Sequence, residues 1–198
     1  YPFVVAGYVV IASQYRGNDG SEGRDEIGGA DINDVIALFP VIKELSYVDS
    51  NNISMIGFSR GAIDTYRVLQ KNILPIRACA VMSGLSDLFS FELLQPQLTP
   101  LLEYFMPNYH TDKAKEFTKR SAICWAQDIT VPLLIIHGEI DDMVSVNTSK
   151  CLADALTQHH KEHKLVICPN ADHSLDGCEK LVEEEITSWF QKYSFKHF

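Results

Sequence analysis

The sequence predicts an α/β fold, a mostly parallel sheet with helices on both faces. Two observations predict it. Short apolar runs recur at residues 8–13, 53–56, 78–82, 133–137 and 164–168, and they are continuous, as strands buried on both faces require. Between them lie longer segments with apolar residues at helical spacing, so strand and helix alternate along the chain. With 198 residues, 46% of them hydrophobic, the chain is long enough for one substantial core. The expectation is a single domain over residues 1–198 with about five strands.

Taken in order, the residues before Gly7 end a helix, and the β-branched run Tyr8–Ser13 reads as a buried strand. Tyr15 to Gly29 carries Gly17, Gly20, Gly23, Gly28 and Gly29 among charges, which predicts a long loop without the spacing of a phosphate cradle. From Asp31 to Leu45, the residues Val35, Ile36, Leu38, Phe39, Ile42 and Leu45 form a helical face that Pro40 should kink. Ser50, Asn51 and Asn52 punctuate the start of the next strand. The helix after it carries Ala62, Ile63, Tyr66 and Leu69, and ends before Pro75. Ala78–Met82 is again a strand. Residues 83–128 break the rhythm with Pro96, Pro100 and Pro107, several aromatics and a charged stretch from Asp112 to Arg120, and read as a mostly helical excursion. Pro132 introduces Leu133–His137, a helix follows at Asn147–Gln158, and Lys164–Cys168 is the last strand. A terminal helix, Glu179–Lys192, turns Leu181, Val182, Ile186, Trp189 and Tyr193 inward.

The formal net charge of -9 argues against nucleic acid or an anionic membrane as a partner. Cys79, Cys124, Cys151, Cys168 and Cys178 show no Cys-x-x-Cys spacing, so neither a zinc site nor a dense disulfide framework is indicated, and reduced thiols in the cytoplasm fit best. The longest apolar stretch, Tyr1 to Ala12, is too short for a transmembrane helix. The chain opens in mid-pattern, without a Met, and reads as trimmed.

Chemistry concentrates in three loops. The first is Gly57-Phe58-Ser59-Arg60-Gly61, where glycines let a strand turn sharply into a helix and expose a serine at the corner. A serine hydroxyl needs a histidine to take its proton and a carboxylate to fix the histidine's tautomer. In parallel sheets such groups gather beyond the carboxyl ends of strands. Asp141 and Asp142 leave the strand that ends at His137, and His173 leaves the strand that ends at Cys168. The order Ser59, Asp141, His173 is that of a hydrolase triad. His137 ends a strand against Gly138 and reads as structural. His159, His160 and His163 sit beside Lys161 and Glu162 at a helix's polar end and read as solvated surface, so no metal is expected.

These motifs resemble the catalytic domain of the prolyl oligopeptidase family of serine peptidases, over most of residues 4–192. The matching segments are Gly7-Tyr8-Val9-Val10 with Tyr15-Arg16-Gly17, the Ser59 pentapeptide, Pro132 to Gly138 with Asp141 and Val144, and Asp172-His173. The resemblance implies an N-terminally truncated α/β-hydrolase fold, with Ser59 as nucleophile, His173 as general base and then acid, and Asp141 as orienting carboxylate. The family's spacing from the His-Gly pair selects Asp141 over Asp142. It gives the backbone N–H of Arg60 as one oxyanion donor. The second donor comes in relatives from a loop after a strand that lies between the Tyr8 strand and the Ser59 strand. No such motif precedes Tyr8, which implies about a hundred further N-terminal residues, typical of such a domain, or another segment in that gap.

By family position, Leu85, Leu88, Phe91 and Val144 would line an apolar substrate pocket, with Arg60 narrowing or charging it. Arg16 and Asp87 read as salt-bridge residues that anchor loops. The expected activity is a peptidase working through an acyl-enzyme, with a carboxylesterase or a non-catalytic hydrolase-like module as alternatives. The substrate would be a small peptide or ester, and no cofactor is called for.

Overall fold

The computed structural model describes residues 2–195. The chain forms α1 (Pro2–Val5), α2 (Ile32–Ile36), α3 (Leu38–Glu44), β1 (Ile53–Phe58), α4 (Arg60–Lys71) and β2 (Ile76–Met82). Three helices follow, α5 (Leu88–Leu94), α6 (Thr99–Phe105) and α7 (Tyr109–Arg120), with short 3-10 segments at Pro96–Leu98 and Ala122–Asp128. Then come β3 (Leu133–Gly138), α8 (Val146–Gln158), β4 (His163–Cys168) and α9 (Glu179–Tyr193).

Among the described residues the sheet has four strands in the order β1-β2-β3-β4, all parallel. Alternation along β2 and β3 divides the core. Cys79, Val81, Leu133 and Ile135 face Tyr66 and Leu69 of α4, Trp125 and Ile129, and Leu152 and Leu156 of α8. Ala78, Ala80, Leu134 and Ile136 face Ile186, Trp189 and Phe190 of α9 on the other side. Each fully buried Leu or Ile stabilises this sandwich by roughly 1.5–3 kcal/mol. A third cluster joins Ile27, Ile63 and Leu85 to the helices of residues 88–120, through Leu88, Leu102, Met106, Tyr109 and Phe117.

Two of the expected secondary-structure elements differ from the structure. Tyr8–Ser13 is not a strand, and Val9, Val10 and Ile11 are 51%, 59% and 41% exposed. A β-branched apolar run meets the local requirement for a strand but not the need for a hydrogen-bonded neighbour. β1 pairs with β2 alone, and on its edge Ile56 and Phe58 stay 38% and 43% exposed. Among the described residues the count is therefore four strands rather than about five. The helix expected over residues 31–45 is two, broken at Ala37. Pro40 has no N–H to donate to the carbonyl of Ile36, so the ladder stops there.

The glycine-rich loop is held by Arg120, whose buried guanidinium donates to Ile27 O and Glu26 O and pairs with Glu116. Arg16 anchors the same loop through a bidentate pair with Asp34, at 2.9 and 2.7 Å. Asp87 makes a cap rather than a salt bridge: its carboxylate accepts from Phe89 N and Ser90 N and starts α5. No helix among the described residues is long and apolar enough to cross a membrane.

The register levels the strands. Phe58, Met82 and Ile136 lie in one row, and Ile136 pairs with Val166, so the chain leaves each strand at one edge of the sheet.

Candidate active site

A single residue, Ser59, turns the chain from β1 into α4. Its backbone stands at φ 50° and ψ -117°, a conformation that side-chain-bearing residues rarely adopt. Two hydrogen bonds hold it there: Ser59 N donates to Met82 O at 2.9 Å, and Ser59 O accepts from Ala62 N at 3.0 Å. Gly57 is required by close approach, since a Cβ there would meet Thr65 Oγ1 at 2.4 Å and Gly61 O at 2.5 Å. Gly61 is not, because the nearest atom to a Cβ would be Tyr15 OH at 3.8 Å.

β3 delivers the second group. The turn after Gly138 wraps the Asp141 carboxylate, whose Oδ1 accepts from Met143 N at 3.0 Å and Val144 N at 2.8 Å. Its Oδ2 accepts from His173 Nδ1 at 2.8 Å and lies 3.0 Å from His137 Nε2. Burial would raise the Asp141 carboxyl, but the bonds from His137, Val144 N–H and His173 outweigh it and hold the group below the usual carboxylate range. Asp142 is exposed, and its carbonyl accepts from Gln95 Nε2.

The loop after β4 brings His173, whose Nε2 lies 2.8 Å from Ser59 Oγ. That loop is pressed against β3: a Cβ on Gly138 would meet Asp172 O at 2.1 Å. Ser83, at the end of β2, donates its hydroxyl to His173 O at 2.8 Å. The Phe58 ring lies 5.4 Å from the imidazole. Ser59, His173 and Asp141 thus form one chain of hydrogen bonds, drawn from three strand ends. Sequence reasoning missed Ser83, although a Ser-Gly pair directly after an apolar strand was a visible signal.

Ser59 and His173 open onto a cavity of about 550 Å3. Leu85, Phe91 and Val144 line it, as do Leu101, Leu102 and Phe105. Leu88 does not. It opens α5 with its backbone N–H bonded to Ser121 Oγ, and its side chain is wholly enclosed in the third core cluster. Leu88 and Phe91, one turn apart on the same face of α5, both pack on that cluster, and only the partly buried Phe91 at its rim reaches the cavity.

Arg60, the first residue of α4, stands at a helix N-terminus, where backbone N–H groups lack intrahelical partners. Its guanidinium lies over the Tyr15 ring at 4.5 Å and pairs with Asp25, with Asp31 at 2.9 Å and with Asp64 at 3.6 Å. The charge is thereby spent on the protein's own carboxylates rather than offered to the cavity.

Burial, then the charge of Asp31, push the Asp64 carboxyl up to about 8, against the opposing pull of Arg60. A pKa raised in the folded state contributes stability below the unfolded value near 3.8, and that stability is lost as pH rises through about 8. Asp64→Asn is therefore expected to raise the Tm by about 5 °C or more in buffer near pH 8.5 and to change it by only about 2 °C near pH 5. Thermal melts at the two pH values check this, and equal shifts at both would refute it.

All five cysteines are free thiols. Burial, then the neighbouring Cys178 thiol, push the Cys168 thiol up to about 12. His163 Nδ1 lies 2.8 Å from Lys161 O, and among the described residues no group of three side chains is placed to hold a metal ion.

The prolyl oligopeptidase family matches residues 1–197. The chain belongs to that family. It is 28% identical over 192 residues to the uncharacterized peptidase YtmA of Bacillus subtilis, covering 96% of this chain and 74% of that protein. It is 23% identical over 209 residues to acylamino-acid-releasing enzyme 1 of Oryza sativa subsp. japonica, covering 96% of this chain and 27% of the rice protein. A puromycin-hydrolyzing peptidase of Mycobacterium tuberculosis superposes with a TM-score of 0.75 at 20% identity, over 87% of this chain and 26% of that one. The fold is the α/β-hydrolase fold of these relatives, and the chain spans about a quarter of the last two proteins.

Proposed function

We propose that the chain is a serine peptidase of prolyl oligopeptidase type, working through an acyl-enzyme on Ser59. The observation that carries this reading is the hydrogen-bonded chain from Ser59 Oγ through His173 to Asp141, 2.8 Å at each step, at the mouth of an apolar cavity. In the proposed reaction, Ser59 Oγ attacks the substrate carbonyl while His173 Nε2 takes the hydroxyl proton. Asp141 Oδ2 stabilises the imidazolium through Nδ1–H. The negative charge that forms on the carbonyl oxygen is met by the N–H of Arg60. His173 then gives its proton to the departing amine as the C–N bond breaks, leaving an ester on Ser59. A water, deprotonated by His173, attacks that ester and frees the serine.

The cavity wall of Leu85, Phe91, Val144 and Phe105 favours an apolar residue on the acyl side of the scissile bond. The substrate is a small peptide or a blocked aminoacyl compound, in keeping with the name of the rice relative. The free thiols fit a reducing cytoplasmic site of action.

Two measurements test the reading. A fluorophosphonate probe should label the wild type and not Ser59→Ala. Aminoacyl and N-acylaminoacyl p-nitroanilides with Phe or Leu at the scissile bond should turn over alongside p-nitrophenyl esters. Turnover of short-chain esters alone would replace the peptidase by a carboxylesterase, and absence of labelling would leave a non-catalytic module.

A further inference from the structure

His137 is wholly buried at the end of β3, and the proposed reaction does not use it. Its Nε2 lies 2.9 Å from Val144 O and 3.0 Å from Asp141 Oδ2, and its Nδ1 lies 2.7 Å from Ser149 Oγ of α8. These distances fix the proton. A carbonyl and a carboxylate oxygen can only accept, so Nε2 carries the hydrogen, bonded to Val144 O and facing Asp141 Oδ2. In that tautomer Nδ1 accepts from the Ser149 hydroxyl. Ser149 is itself wholly buried, so the tautomer is fixed from behind by a group that water does not reach.

The oxygen that His137 faces is the same Oδ2 that accepts from His173. Oδ1 is already held by Met143 N and Val144 N. Every side of the carboxylate is therefore met by a donor, and each donor comes from the β3 end, the turn after it or the His173 loop. We propose that His137 is a positioning residue, which through its Nε2–H holds Asp141 Oδ2 in line with His173 Nδ1. Without it, Oδ2 keeps one donor, His173 Nδ1 on the β4–α9 loop, and has none on the sheet side. The backbone N–H groups of Met143 and Val144 then hold the carboxylate by Oδ1 only, so Oδ2 shifts out of line with His173 Nδ1 and the imidazole loses its alignment on Ser59. The Val144 carbonyl, bonded to the same N–H, ties this arrangement to the turn that lines the cavity.

The inference rests on the proposed roles of Ser59, His173 and Asp141, so its test needs a readout besides turnover. His137→Asn keeps a polar group toward Ser149 but is too short to reach Asp141. His137→Gln can place an amide N–H where Nε2 stood. In His137→Asn, kcat should fall by roughly 10- to 100-fold with KM changed less than about threefold, the scale of a lost bond to a charged group. The low-field proton resonance of the Asp141–His173 bond should move or broaden. His137→Gln should restore kcat to within about threefold of wild type and return the resonance. Wild-type turnover and an unmoved resonance in His137→Asn would overturn the proposal, as would equal losses in both variants. In a protein that turned over none of the substrates, the reading of function would fail by itself. The resonance would still move in His137→Asn if His137 positions Asp141, and stay if it does not.

Discussion

His173→Ala is expected to lower kcat by roughly 10⁴- to 10⁶-fold while leaving the fold intact, because the base and the nucleophile act as one unit. The loop does not depend on the imidazole. Ser83 grips the His173 carbonyl at 2.8 Å, and the passage of β3 beneath the loop is shaped by Gly138 rather than by a side chain. The variant should therefore melt within a few degrees of wild type, roughly the effect of losing about 1 kcal/mol. It should also fail to react with a fluorophosphonate, since Ser59 Oγ would keep its proton. Steady-state rates on an N-acyl-Phe p-nitroanilide give the measurement. Residual activity above about a hundredth of wild type would mean that another group takes the serine's proton, a loss too small for a missing general base.

What the sequence reveals of this site follows from where the chemistry is local. The Ser59 corner is legible because a strand, a tight turn and a helix are written in consecutive residues, and Gly57 is forced by contact with the helix it precedes. Asp141 and His173 are legible because apolar runs mark the strands, and the residues just beyond such strands share one edge of a parallel sheet. Contacts between distant segments are less so. Leu88 and Phe91 look alike on paper, three residues apart, yet one is wholly enclosed and the other lines the cavity. Only the packing of α5 against Phe117 and Leu102 decides which. Tyr8–Ser13 has a strand's composition, and composition does not supply a partner strand. Arg60 reads as a charge aimed at the pocket until Asp25, Asp31 and Asp64, from two other parts of the chain and one turn along α4, close around it.

Asp141→Asn should cost about 10⁴-fold in kcat at neutral pH, as expected when a triad carboxylate is replaced by an amide. The reason lies in the donors around the carboxylate. Met143 N and Val144 N both donate to Oδ1, so an asparagine must keep its oxygen there and turn its NH2 toward the position of Oδ2. The NH2 then faces His173 Nδ1, which can meet it only as an acceptor. That choice moves the ring's proton to Nε2, the atom 2.8 Å from Ser59 Oγ, where it cannot take the serine's hydrogen. Flipping the amide offers no escape, since it would set NH2 against two backbone N–H groups. The same NH2 also confronts the Nε2–H of His137, adding a second mismatch on that side. The loss should therefore be in kcat far more than in KM, and Asp141→Ala, which leaves His173 free to choose its tautomer, should retain more activity near neutral pH than Asp141→Asn. Measuring the two variants side by side decides the matter. If the asparagine variant is the more active, the carboxylate's role is not the fixing of a tautomer.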